Sequence, residues 1–202
     1  MIASVEELNS FIAALGLSAP SEWTTDAKTT RLAAAQALLE GATGRQFETS
    51  QEGRTFDGSG VATLLIDDAV EITQVEIGSV TLGTADYQIY PANRTPKWRL
   101  VRGANVWPEG RQNVTITATW GYAADVSDDV KQACLMLATA SLLAGKALGI
   151  SGENVGAVFR SYAAGTFSAT FGGSGDQALA AIAGWREVVE EVIRLHARRP
   201  VM

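Results

Sequence analysis

Apolar positions along this chain change their spacing twice. Up to about residue 46 they recur at helical intervals, from 47 to 122 they alternate with polar residues, and from 128 the helical spacing returns. Ser4-Val-Glu-Glu7 matches a capping box and predicts a helix to about Leu15, ended by Gly16 and Pro20. A second helix is predicted over Asp26 to Thr43, with Leu32, Ala35, Leu38, Leu39 and Ala42 on one face and Gly44 as its stop. In the alternating region, Asp57-Gly-Ser-Gly60 predicts a hairpin turn between Arg54–Phe56 and Val61–Ile66. Val75 and Ile77, then Tyr87 and Ile89, then Trp98 and Leu100 mark further short strands. Pro91, Pro96 and Pro108 fall in loops, because proline cannot donate within a ladder. The clearest strand alternates Val114, Ile116, Ala118 and Trp120 with Thr115, Thr117 and Thr119. It stops at Gly121, after which Ser127 is a good N-cap and Asp128 and Asp129 suit the first turn of a helix.

Six or seven short strands between helical segments predict an α+β protein: a helical bundle with an inserted antiparallel β-rich subdomain, a compact sheet or small sandwich. Its divisions are 1–46, 47–122 and 123–202, forming one structural unit overall. The helix over 128–148 is apolar nearly all round. Val130, Ala133, Cys134, Leu137, Ala138, Ser141 and Leu142 form one seam, with Leu135, Met136, Thr139, Ala140 and Leu143 behind it. Such a helix is either the buried centre of its own unit or half of a subunit contact. Residues 149–175 are rich in Gly, Ser and Thr and read as a loop or loose hairpin. A final amphipathic helix, Asp176–Arg199, lines up Leu179, Ile182, Trp185, Val189 and Ile193, with Glu190 and Arg194 spaced for an ion pair.

The chemical inventory is short. One histidine, His196, and one cysteine, Cys134, supply neither a triad nor a zinc site. Cys134 lies in an apolar run and reads as a small buried hydrophobe. No P-loop or dinucleotide fingerprint is present. Asp67-Asp68 reads as a solvated turn at a strand end, and Asp57-x-Ser59 lacks the later ligands of a calcium loop. No catalytic residue, metal ligand or cofactor is therefore expected. Trp98, Trp107 and Trp120 are the one constellation that would suit a carbohydrate- or peptide-binding module.

Charge narrows the partners. A net charge of −6 and a pI near 4.8 leave no broad basic surface for gripping nucleic acid. A single cysteine rules out an internal disulfide. The terminus Met-Ile-Ala-Ser-Val-Glu-Glu has neither the basic nor the apolar region of a signal peptide, and no run suits a membrane span, so cytoplasmic synthesis is expected.

The order of motifs carries a resemblance. Ala42-Thr-Gly-Arg-Gln-Phe47, Arg54-Thr-Phe-Asp-Gly-Ser-Gly60, Leu64-Leu-Ile66, Ile72–Val75, Asp86-Tyr-Gln-Ile-Tyr-Pro91, Trp107-Pro108 and Val114–Tyr122 leading into Asp125–Ala133 follow one another. In that succession the chain resembles the head–tail connector proteins (adaptor or head-completion proteins) of tailed bacteriophages. The resemblance is good over residues 22–148 and rests on element order beyond them. It implies a helical bundle interrupted by a β-rich insertion. It also implies a non-enzymatic virion protein of the neck, made in the host bacterial cytoplasm and assembled as a homo-oligomeric ring, typically a dodecamer. The implied partners are the portal above and a stopper or tail-completion protein below. Double-stranded DNA passes through the lumen without specific binding, and no membrane or cofactor is involved. Under this reading Leu179, Ile182, Trp185, Val189 and Ile193 would dock on the portal, and Leu135, Met136, Ala140 and Leu143 would meet a neighbouring subunit. A tail-terminator or stopper subunit is the nearest alternative.

Overall fold

A computed structural model describes residues 1–17, 19, 21, 23–148 and 175–198, with side chains left aside for 144–148 and 175–183. The predicted loop over 149–175 thus lies, but for Gly175, outside the described residues. The chain divides into a helical unit, residues 1–44 with 127–202, and a β unit, residues 45–126.

The helical unit contains α1 (Val5–Ala14), α2 (Thr25–Thr43), α3 (Asp128–Leu148) and α4 (Gly175–His196). The capping box opens α1 as predicted: Glu7 N donates to Ser4 Oγ at 3.1 Å, and Ser4 N donates to Glu7 Oε2 at 2.7 Å. Thr24 caps α2 through a bond from Ala27 N at 3.2 Å, and Gly44 ends it in the left-handed region at φ 64°. The buried seam of α2 runs through Arg31, Leu32, Ala35, Leu39 and Thr43, whereas Leu38 is half-buried and Ala42 exposed. Thr43 can face inward because its hydroxyl donates to Leu39 O at 2.7 Å, satisfying itself within the helix. α3 is the centre of this unit, and every residue from Ala133 to Leu142 is buried. Burial of each large aliphatic side chain there contributes about 1.5–3 kcal/mol relative to exposure.

The β unit is a six-stranded antiparallel sheet: β1 (Ser50–Gly58), β2 (Thr63–Ile77), β3 (Val80–Thr81), β4 (Gln88–Tyr90), β5 (Lys97–Val101) and β6 (Gly110–Trp120). Its order is β1-β6-β2-β5-β4, with β3 folded back on β2. The last strand is therefore central. Val114 of β6 pairs with Phe56 of β1 on one side and Ile77 of β2 on the other.

The predicted hairpin across Asp57–Gly60 does not form, because β6 separates the two strands it would join. The segment is tied to residues 107–113 instead. Gly58 N donates to Asn113 Oδ1 at 2.8 Å, Gly60 N to Trp107 O at 2.9 Å, and Trp107 N to Val61 O at 2.9 Å. A Cβ on Gly58 would stand 1.9 Å from Pro108 O, so only glycine permits this approach. Two short strands read separately at Val61–Ile66 and around Val75 and Ile77 belong to one strand, β2. It pairs with β5 early and with β6 later, and register shifts near Ala69 accommodate the change.

Candidate functional site

The β unit begins and ends at one corner. Gly121 follows β6 at φ 137°, and its N–H donates to Asp68 O at 2.8 Å, while Tyr122 N donates to Gln46 O at 2.8 Å. Arg45 Nη1 pairs with Asp68 Oδ2 at 2.6 Å, and its guanidinium lies 4.8 Å from the centre of the Tyr122 ring. Phe47 meets the same ring edge-on at 5.8 Å. Entry and exit of the insertion are thus held by one cation, one carboxylate and two aromatic rings.

Asp67 and Asp68 are not a solvated turn. They lie within β2, and Asp67 pairs with Arg54 at 3.1 Å while Asp68 takes Arg45. Arg54 also bonds Glu52 at 2.7 Å and covers Trp120 at 4.8 Å. Neighbouring carboxylates that each face a guanidinium are engaged as ion pairs, which is what the β1–β6–β2 order brings about.

The tryptophans do not form a binding platform. Trp107 and Trp120 are fully buried, and their indole N–H groups donate to Ala62 O at 3.0 Å and Glu52 O at 2.9 Å. Trp98 alone is half-buried, beside Arg99. A tryptophan beside Pro108 is drawn inward because its indole N–H finds a carbonyl there, a pairing that has no signal in sequence.

A cluster that the chain-wide charge conceals lies at the β4–β5 edge. Between Asp86 and Arg102 the charged residues are one acid and four cations, Arg94, Lys97, Arg99 and Arg102. Lys97 Nζ donates to Pro91 O at 2.8 Å and Ala92 O at 2.9 Å, and Arg102 Nη1 donates to Val106 O at 3.0 Å. The Arg99 guanidinium stacks over Tyr90 at 4.8 Å and Trp98 at 5.1 Å. The Nε atoms of Arg99 and Arg102 are buried without a hydrogen-bond partner. Across the ladder, Leu65 stands opposite Arg99 and is 44% exposed. The signal for this cluster was the alternation of Lys97 and Arg99 with Trp98 and Leu100.

In the helical unit, His196 Nε2 lies 2.8 Å from Asp129 Oδ2. Glu190 and Arg194 do not pair with each other. Arg186 takes Glu190 at 2.6 Å and Arg194 takes Glu191 at 2.5 Å, because the three-residue step and the reversed four-residue step bring these groups together instead. Of the predicted docking stripe, Trp185 and Val189 are buried within the unit, Trp185 against Phe11 at 5.7 Å, and Ile193 is half-buried. The side chains of Leu179 and Ile182 lie outside the described residues. Leu135, Met136 and Ala140 are buried and Leu143 is half-buried. Cys134 is sealed, and burial pushes its thiol up to about 12, which suits a packing residue rather than a nucleophile. Among the described residues no cluster of three or more His, Cys, Asp or Glu side chains is placed to hold a metal ion, and no helix is long and apolar enough to cross a membrane.

The fold is therefore a mixed α+β scaffold in which a helical unit carries an inserted antiparallel sheet. The chain belongs to the head completion protein family, whose sequence pattern matches residues 2–140. The resemblance carried by the motif order is thus the right one. No curated protein matches it in sequence. Solved structures share the fold. The neck of an empty gene transfer agent particle, computed with C6 symmetry, matches over 100% of this chain and 92% of the other, at 14% identity and a TM-score of 0.62. The neck of a native particle, computed with C12 symmetry, matches over 98% and 90%, at 15% identity and a TM-score of 0.55.

Proposed function

We propose that this chain is a structural, non-enzymatic subunit of a virion neck. It forms a ring beneath the portal, extends the DNA channel and provides the attachment site for a stopper or tail-completion protein. The observation that carries the reading is membership of the head completion family, joined to a fold shared along nearly the whole chain with necks of phage-like particles. Those necks have C6 and C12 symmetry, which supports a cyclic homo-oligomer and, for this chain, a dodecamer. A net charge of −6 favours a lumen that lets duplex DNA slide without adhering.

On this reading α4 faces the portal. Trp185 and Val189 are committed to the unit's own core, so the docking surface is the outer side of α4, where Val188 is 44% and Leu195 61% exposed. Of the four α3 residues assigned to a subunit contact, Leu143 keeps the most surface for a neighbour.

Deletion of the gene should yield DNA-filled heads that lack tails and leak their contents, and cryo-electron microscopy of complete particles should place the chain in a cyclic ring below the portal. Tailed, DNA-retaining particles from the deletion strain would overturn the proposal.

A further inference from the structure

The sheet of the β unit is polarised from edge to edge. At one edge β1 pairs only with β6 and leaves its other side unpaired. Residues 48–58 there carry three acids, Glu48, Glu52 and Asp57, against one base, Arg54. At the other edge β4 and β5 carry Arg94, Lys97, Arg99 and Arg102 against Asp86 alone. Among the described residues none of these four cations makes an ion pair. Carbonyl oxygens and aromatic rings hold Lys97, Arg99 and Arg102 in place, Arg94 is exposed, and the charge of all four stays uncompensated among the described residues.

We propose that the β4–β5 edge of one copy receives the β1 edge of the next copy, so that the ring closes through alternating acidic and basic sheet edges. The inference rests on the ring reading above and names the surfaces that make it. A heterologous contact requires two different patches on one chain that complement each other, and the two edges of this sheet meet that condition. Leu65 of β2, 44% exposed and in register with Arg99 and through it with Tyr90, adds an apolar and aromatic strip on the face beside the basic edge, the composition of a protein contact. Duplex DNA fits less well. Three of the four cations are half-buried, and the apolar Leu65 has no use for phosphate.

The test is a reciprocal charge swap. R94E/R99E makes both edges acidic, and E48K/E52K makes both basic. Each variant alone should stay folded by circular dichroism yet need on the order of tenfold more protein to assemble than wild type, as for like charges set against each other. Mixed one to one, the two should assemble again, because alternating copies restore every contact. R94E, an exposed single change, serves where a double variant unfolds and should show a smaller loss of assembly. Assembly of both double variants at the wild-type concentration, or failure of the mixture to recover, overturns the proposal. So does tight duplex binding by wild type that R94E/R99E abolishes while assembly is untouched, since the basic edge would then be a polyanion site. A wild-type chain that is monomeric at every concentration and missing from particle necks would sink the ring itself, and this contact with it.

Discussion

His196, at the last turn of α4, meets Asp129, in the first turn of α3, at 2.8 Å. The contact joins a helix C-terminus to a helix N-terminus, so the Asp129 carboxylate also sits where its charge complements the local dipole. Arg198 N donates to Thr43 O at 2.8 Å just beyond, fastening the same end of α4 to α2.

This clasp predicts acid sensitivity. Burial pushes the Asp129 carboxyl up, but bonds from Ser127, His196 and Val130 N–H outweigh it and hold the group below its ordinary 3.8. Glu7 is likewise held below 4.5, first by the Ser4 N–H and then by Lys131 of α3. A carboxylate depressed in the folded state stabilises above its unfolded value, and that contribution fades as pH falls through the folded one. D129N and E7Q should therefore melt below wild type at pH 7, and the gaps should close as the pH drops below about 4. Gaps independent of pH would refute the assignment.

Gly121 predicts a backbone effect. At φ 137° an added Cβ would stand 3.1 Å from both Glu48 O and Thr49 Cγ2. G121A should lower stability by about 1–3 kcal/mol in denaturant unfolding, the usual range for a side chain forced into such backbone. G58A should do worse, since its obstacle is the Pro108 carbonyl at 1.9 Å and a main chain cannot swing aside like a side chain.

Arg31 is buried at 5% exposure, and its one side-chain hydrogen bond among the described residues is Nη1 to Ser141 Oγ at 3.1 Å. Among the described residues no carboxylate balances it, and burial depresses its pKa. R31M should leave the melting temperature unchanged or raise it, because an uncompensated charge gives way to a flexible apolar side chain. S141A removes the one partner and should cost about 1–3 kcal/mol. Unfolding of R31M would show that the guanidinium is a net stabiliser.

The two sides of α4 should behave differently. W185A empties a buried position beside Phe11 and should destabilise by about 3–5 kcal/mol, seen as a lower melting temperature. V188E/L195E alters exposed positions and should leave melting within about 0.5 kcal/mol of wild type while blocking incorporation into particles. Incorporation unaffected by that pair would remove α4 from the portal contact.

Among the described residues, sequence patterning located each helix and the central strand because each has a local signal, such as Ser4 with Glu7, Gly44 after Thr43, and the Val114–Trp120 alternation. It missed strand order, since nothing near Asp57–Gly60 announces that Phe56 will pair with Val114, more than fifty positions away. It also misjudged groups whose state depends on a distant partner. Asp67 and Asp68 look solvated until Arg54 and Arg45 arrive, and Trp107, in a loop beside Pro108, is left open by the pattern until Ala62 offers a carbonyl. The basic edge was hidden differently, because an acidic total masks a local excess of cations.

The placement of the β unit between Gly44 and Ser127 bears on how the chain is made. α1 and α2 leave the ribosome well before α3, the helix whose burial completes their core, so they wait through the synthesis of the whole sheet. The sheet waits too, because β6 is its last strand and β1 has no other neighbour. Each unit is thus closed by late-arriving elements, first β6 and then α3 followed by α4, and the early edge strand β1 depends on that schedule for its shelter.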